Sequence, residues 1–208
     1  MIDKLASRDI RRPRFLILDN TPLSLLGCIE ALDWLFMPGC PVTITDMVAA
    51  EATRDPGDDR DQRRTTRTYI DGWLDKNGDR ITILATAEGE RYRREMLLWE
   101  RAGKPDDLRP SWSDRGERSL LSAVQDLKQA RLLDEEIIVI VDDCNARDAI
   151  RAIRADLPMM GTRTFIRWMD EDFSVPGADT AWQAIRMATA NTADEGEDED
   201  PVFIRSGP

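Results

Sequence analysis

Histidine is absent from the 208-residue chain, and this absence excludes several kinds of chemistry. Without imidazole the protein cannot contain a Ser-His-Asp or Cys-His catalytic arrangement, and it cannot build a zinc site with histidine ligands. Any chemistry must therefore rest on carboxylates, metal ions, lysine or hydroxyl groups. Aromatic residues are also few, at 6%, whereas 41% of the chain is hydrophobic and 33% is charged, which is typical of a globular domain.

Cysteines and long apolar runs are scarce as well. The three cysteines, Cys28, Cys40 and Cys144, have no C-x-x-C spacing and are odd in number, which favours a reducing compartment over a disulfide framework. No apolar run approaches the length of a membrane span, and residues 1–14 lack the apolar core of a signal peptide. We therefore expect a cytoplasmic protein with no membrane partner.

Basic residues are outnumbered by acidic ones, 29 to 40, which gives a net charge of −11. Residues 194–208 hold six acidic residues and one arginine, so much of the imbalance lies at the end of the chain. We expect one domain over residues 1–190, followed by a disordered acidic tail over residues 191–208.

Short apolar runs alternate with helical patterns along the chain. The predicted strands are residues 15–18, 42–45, 81–84, 137–141 and 159–160. Strands this apolar, separated by amphipathic helices, predict an α/β fold in which helices cover both faces of a mainly parallel sheet, a three-layer α/β/α sandwich. Active sites in such folds gather at the carboxyl ends of the strands.

Two predicted helical segments lie between these strands. The spacing of Leu25, Ile29, Leu32 and Phe36 predicts one helix that ends before Pro38. Residues 88–110 are expected to form an inserted amphipathic helix and loop, whose apolar residues must be buried on the domain or on a partner.

Acidic side chains follow two of the predicted strands directly. Asp19 ends the first strand, and because Pro22 suits the first helical position, Thr21 is the expected helix cap, which leaves Asp19 free. Asp142 and Asp143 follow the fourth strand. We expect one of this pair to cap the next helix and the other to be free at the sheet edge.

Two glutamates lie near the starts of later helices. Glu51 shares a helix face with Met47 and Val48, so its carboxylate needs a partner, either an arginine or a site. Glu117 lies on the apolar side of its helix, but it also follows Asp114 by the three residues of a capping arrangement.

These acids should converge on one edge of a parallel sheet. Carboxylates packed together repel one another, and bound cations are the simplest way to keep them ionised. Ligand sets made only of oxygen select Mg²⁺ or Mn²⁺, and such ions promote phosphodiester hydrolysis without histidine. The sequence therefore predicts a metal-dependent hydrolase.

Four short motifs resemble those of the PIN domain nucleases, the fold of the toxins in VapBC toxin-antitoxin pairs. A PIN subgroup carries D-T-S-P-L, V-x-x-E, G-E and D-[DE]-x-x-A-R, often followed by Gly-Thr. The chain reads Asp19-Asn20-Thr21-Pro22-Leu23, Val48-Ala49-Ala50-Glu51, Gly116-Glu117 and Asp142-Asp143-Cys144-Asn145-Ala146-Arg147, then Gly161-Thr162. The resemblance covers residues 15–167 or so, whereas residues 54–67, residues 88–110 and the tail are additions.

The resemblance implies a site and a set of partners. Asp19, Glu51, Glu117 and Asp142 would be the catalytic, metal-binding acids, with Asp114 and Asp143 as nearby substitutes and Thr21 as a polar support. It further implies an endoribonuclease that cleaves RNA, with an antitoxin or other protein partner, and a homodimer. The acidic balance disfavours non-specific RNA binding, so phosphate contacts need a local basic patch. Candidate residues for this patch are Arg91, Arg93, Arg94, Arg147, Arg151 and Arg154.

Two other functions are consistent with the same residues. The first alternative to a nuclease is a PIN-like binding module, in which the insertions dock a protein partner and the tail covers the basic patch. The second alternative, a haloacid-dehalogenase or receiver-like phosphate enzyme, fits less well, because no second aspartate lies two residues after Asp19.

Overall fold

Five short parallel strands form the central sheet in the computed structural model, which describes residues 15–55, 61, 63–129 and 137–190. The strands are β1 Phe15–Leu18, β2 Val42–Thr45, β3 Ile81–Leu84, β4 Ile137–Ile140 and β5 Met159–Met160. Their order is β3-β2-β1-β4-β5, and every pair is parallel. The predicted strands are confirmed, and the carboxyl ends of all five lie at one edge with β1 in the centre.

Eight α-helices are present in the described residues. They are α1 Asn20–Cys28, α2 Asp46–Ala52, α3 Arg63–Lys76, α4 Ala87–Arg101, α5 Arg115–Gln129, α6 Cys144–Ile153, α7 Thr162–Phe173 and α8 Ala178–Ala188. Two short 3₁₀ helices occupy Leu32–Phe36 and Asp106–Leu108.

The helices cover both faces of the sheet, as the alternation of side chains along each strand requires. On β1, Ile17 packs in a core with residues of α5 and α6, whereas Leu16 and Leu18 pack in a second core with residues of α1, α3, α7 and α8. Strands β2 and β4 are buried along their whole lengths, which explains why β4 is a continuous apolar run, whereas β2 also buries Thr43 and Thr45. The three-layer α/β/α sandwich is therefore confirmed.

The single helix predicted from the spacing of Leu25 to Phe36 is wrong. Helix α1 ends at Cys28, Glu30 has a left-handed φ of 56°, and a 3₁₀ helix follows. Leu25 and Leu32 are nevertheless buried in the same core. The apolar spacing thus indicated burial correctly, but two short helices joined by a turn satisfy it as well as one long helix.

The inserted segment is helical, as expected, because α4 spans most of residues 88–110. Met96 and Trp99 are half-buried, whereas Leu97 is 46% exposed and Leu98 is 59% exposed. The rest of the domain therefore covers only part of the apolar surface of α4. The acidic tail predicted over residues 191–208 lies outside the described residues, and no helix within them is long and apolar enough to cross a membrane.

Candidate active site

Asp19 lies at the carboxyl end of the central strand. Its backbone N–H donates to the carbonyl of Ile140 at 3.0 Å, so the pairing of β1 with β4 fixes its position. The expected cap at Thr21 is wrong, because α1 already begins at Asn20 and Thr21 is exposed within its first turn. Asp19 occupies the N-cap position, but its side chain makes no capping hydrogen bond. The carboxylate is therefore not used to close the helix.

Three other carboxylates act electrostatically on Asp19. Burial is the main cause that raises the pKa of Asp19 from 3.8 to about 6, and the backbone N–H of Asn20 opposes it. The negative charges of Glu51, Asp142 and Asp143 raise this pKa further. Asp19 is 9% exposed and forms no ion pair with a described lysine or arginine. It is thus a buried acid surrounded by like charges.

Glu51 is held by an amide side chain from α1. Asn20 donates from Nδ2 to Oε1 of Glu51 at 3.0 Å, and the Ser24 hydroxyl donates to Oδ1 of Asn20 at 3.4 Å. Burial raises the pKa of Glu51, while Asn20, Arg67 and Arg54 lower it. The sequence analysis assigns no role to Asn20. The position of its amide directly after Asp19 was the signal that it lies at the site.

The predicted ion pair of Glu51 with an arginine is not formed among the described residues. Arg54 and Arg67 lie near enough to lower its pKa, but neither makes an ion pair with it. The interaction of Glu51 with Asn20 takes the place of that contact.

Gly116 makes room for the Glu51 carboxylate at the start of α5. A Cβ atom on residue 116 would lie 2.6 Å from Oε2 of Glu51, which is far closer than real contacts allow. The glycine of the Gly116-Glu117 motif therefore leaves space at the start of α5 for the Glu51 carboxylate of α2. Glu117 itself is half-buried, and its side chain makes no hydrogen bond or ion pair with other described residues.

Asp114 precedes α5 with a left-handed φ of 59° and is exposed. Its Oδ2 accepts a hydrogen bond from the Ser113 hydroxyl at 2.9 Å, so the capping arrangement with Glu117 that its spacing allowed is not the contact formed. Its negative charge raises the pKa of Glu51, which indicates that Asp114 lies on the same side of the site.

The two aspartates after β4 have different contacts. Oδ1 of Asp143 accepts from the backbone N–H of Ala146 at 2.8 Å, so the predicted cap of α6 is confirmed. Asp142 accepts from Thr162 on both oxygens, from the backbone N–H at 2.8 Å and from the hydroxyl at 2.6 Å. Asp142 is therefore fixed by the first residue of α7 rather than free.

Arg147, a candidate for the RNA-binding patch, is buried beside Gly161, so little of its side chain is accessible to RNA. Its Nε donates to the carbonyl oxygen of Val141 at 2.8 Å. A Cβ on Gly161 would lie 2.5 Å from Nη2 of Arg147, so the guanidinium is enclosed by the backbone. The signal was available, since Ile150 on the apolar face of α6 lies three residues further along.

The other predicted RNA-binding arginines are distributed over α4 and α6. Arg91 pairs with Glu88 at 3.4 Å and Arg93 pairs with Asp46 at 2.9 Å. Arg151 pairs with Asp148 at 3.1 Å. Arg94 is exposed and has no ion-pair partner among the described residues. Arg154, another candidate for this patch, directly follows α6 and is buried. Three of these five arginines thus pair with acids, and one is buried.

The donor chemistry at this edge suits a hard divalent cation. Asp19, Glu51, Asp142 and Asp143 offer only carboxylate oxygens, and a cation would relieve the repulsion that raises the pKa of Asp19. In the described part of the chain, no three acidic or thiol side chains already stand close enough together to hold a metal ion. Ion binding would therefore require side-chain movements.

Comparison with known proteins gives no relative: no protein-family model, no curated protein and no solved structure matches the chain. The protein is therefore described by its fold and its site: it is a three-layer α/β/α protein with an acidic cluster at the carboxyl edge of a parallel sheet.

Proposed function

We propose that the protein is a metal-dependent endoribonuclease of the PIN type, which hydrolyses phosphodiester bonds of RNA. The observation that carries the proposal is Asp19, a buried carboxylate on the central strand whose pKa is raised to about 6 by burial and by three neighbouring acids. Strongly shifted acids clustered at the carboxyl edge of a parallel sheet are characteristic of functional sites. The four motifs that resemble the PIN family supply these same acids.

Asp19, Glu51, Glu117 and Asp142 would hold Mg²⁺ or Mn²⁺, with Asp114 and Asp143 as additional oxygen donors. The bound ions would supply a nucleophilic water at neutral pH and neutralise charge on the phosphate.

The remaining residues position the acids. Asn20 orients Glu51, Thr162 orients Asp142 on both oxygens, and Gly116 leaves the space that Glu51 occupies. Thr21, exposed on the first turn of α1, is the polar support that the PIN resemblance implies.

The same resemblance extends the proposal to a cytoplasmic homodimer that acts as the toxin of a toxin-antitoxin pair. A binding module that acts through a protein partner is the second candidate. The exposure of Leu97 and Leu98 on α4 favours it, because a protein partner would bury them. In that case the acids would bind no metal and would cleave nothing, so one assay separates the two functions.

The test is RNA cleavage with Mn²⁺ or Mg²⁺, on total RNA and on a tRNA pool. The unmodified protein should cut, and EDTA or Asp19→Asn should abolish cutting. Asp71→Asn, an exposed aspartate on α3, is the matched control and should cut normally. Cleavage that persists in Asp19→Asn, or an absence of both cleavage and calorimetric metal binding, would reject the nuclease.

A further inference from the structure

An aromatic side chain and an arginine lie stacked beside the acidic cluster. Trp112 precedes Asp114 by two residues, and Arg54 follows Glu51 by three. The guanidinium carbon of Arg54 lies 5.0 Å from the centroid of the Trp112 ring. Trp112 is partly exposed and Arg54 is exposed, so this pair lies at the surface of the domain.

Arg54 lies between the acidic cluster and this aromatic surface. It lowers the pKa of Glu51 on one side, and together with Arg115 and Arg109 it lowers the pKa of Tyr92, which burial raises. Within the described residues it makes no ion pair.

Neighbouring side chains contact both members of this pair. Nη1 of Arg67 donates to the carbonyl oxygen of Arg54. Tyr92 packs against Trp112 with ring centroids 4.5 Å apart and planes tilted by 50°. Arg115 covers Tyr92 at 4.5 Å and pairs with Glu88 at 3.0 Å. Trp112 thus packs beside Tyr92, which Arg115 covers in turn.

We propose that Trp112 and Arg54 form a stacking site for one nucleobase of single-stranded RNA, adjacent to the acidic cluster. The inference rests on the proposed nuclease function and specifies how its substrate is held. Every base has an aromatic face that stacks on indole or guanidinium planes, whereas duplex bases are already stacked on one another. A stacking contact also suits an acidic protein, in which long-range attraction of phosphates is weak.

The test measures RNA binding without cleavage. The full chain carrying Asp19→Asn, in EDTA, is titrated into fluorescein-labelled single-stranded RNA and followed by anisotropy. Trp112→Leu should weaken binding by roughly tenfold to a hundredfold, the range of one base stack. Trp99→Leu is the matched control, because Trp99 on α4 also has an arginine, Arg109, over its ring at 5.6 Å. This control should bind as tightly as its parent.

A second series replaces single nucleotides of the RNA by abasic residues. One position should weaken binding to the parent protein, and that penalty should disappear in Trp112→Leu. Arg54→Lys keeps the charge but loses the planar group, so it should also reduce the penalty while folding normally. Equal abasic penalties in the parent, Trp112→Leu and Arg54→Lys would overturn the stacking site.

The outcomes separate this inference from the nuclease proposal. Metal-dependent cleavage by a protein whose RNA binding is unaffected by Trp112→Leu and Arg54→Lys would overturn the stacking site and leave the nuclease intact. Base-dependent binding through Trp112 without any cleavage would support the stacking site and reject the nuclease.

Discussion

Asp19 shows how a single buried acid connects folding with function. Its position at the end of the central strand is set by backbone pairing, and its carboxylate is surrounded by the charges of Glu51, Asp142 and Asp143. No described lysine or arginine pairs with it. An ionised group in such surroundings reduces the stability of the metal-free fold, as is common for groups retained at functional sites.

The Asp19→Asn variant should be more stable than the unmodified protein near neutral pH. The folded-state pKa of about 6 lies above the ordinary 3.8, so the folded protein binds this proton more tightly than the unfolded chain. The stabilisation from the protonated form is complete below about pH 4 and is lost as pH rises through 6. Urea denaturation in EDTA should show an advantage of up to about 3 kcal/mol at pH 7.5. That advantage should disappear near pH 4.

Asp71→Asn provides the control for this prediction, since Asp71 is exposed on α3. Its free energy of unfolding should differ from that of the unmodified protein by the same small amount at both pH values. An Asp19→Asn advantage that does not change with pH would contradict the burial of an uncompensated charge at this position.

Some local contacts of single residues were predictable, such as the cap of α6, whereas contacts between distant segments were not. The cap of α6 by Asp143 joins groups three residues apart, so a short motif defines it. The bond of Asn20 to Glu51 joins residues 31 positions apart, and the bonds of Thr162 to Asp142 join residues 20 apart. Those contacts depend on how α1 meets α2 and how α7 meets the sheet, which no short motif specifies.

At the scale of elements, the position of the Glu51 carboxylate between α2 and α5 depends on Gly116. Replacing it by alanine places a Cβ 2.6 Å from Oε2 of Glu51, and the flexible carboxylate must move away. Because alanine is favoured over glycine within helices, Gly116→Ala should fold with equal or greater stability. Its affinity for Mn²⁺, measured by calorimetry, should nevertheless fall by about tenfold, a loss of about 1.4 kcal/mol.

Gly72→Ala on α3 is the matched control, because no atom lies within 4 Å of the Cβ it would add. It should raise the free energy of unfolding by about 0.5–1 kcal/mol and leave Mn²⁺ binding unchanged. Equal Mn²⁺ affinity in both variants would show that Glu51 does not contribute to the metal site.

The strands were easier to predict than the helices for a physical reason. A strand that is buried on both faces can be apolar at every position, and this produces runs such as Ile137–Ile140 that stand out in the sequence. Helical spacing, by contrast, indicates only which residues are buried. The turn at Glu30, which divides the segment between Leu25 and Phe36, leaves that spacing intact and was therefore missed.

At the scale of the whole molecule, charge is distributed unevenly along the chain. Residues 194–208 carry six acidic residues and one arginine, and they lie outside the described residues. If these acids compete with RNA for basic side chains, deleting residues 194–208 should raise RNA affinity at low salt and steepen its salt dependence. Anisotropy titrations across a range of salt concentrations would measure both effects.

The matched control for the deletion keeps the tail and replaces its six acids by their amides, so that length stays constant while charge changes. It should reproduce the gain in affinity. Unchanged RNA affinity in the deletion variant would exclude electrostatic competition by the tail.

The strand order has a consequence for protein synthesis. Strand β1 pairs with β4, so Phe15 meets Ile137 only after more than half of the chain has been translated. At roughly 5–20 residues per second, Asp19 leaves the ribosome on the order of ten seconds before Asp142 does. A nascent or prematurely terminated chain that lacks β4 cannot bring these two acids together. Because of this strand order, incomplete chains cannot form the acidic cluster. If the protein is a nuclease, such chains cannot cleave the RNA of the cell that makes them.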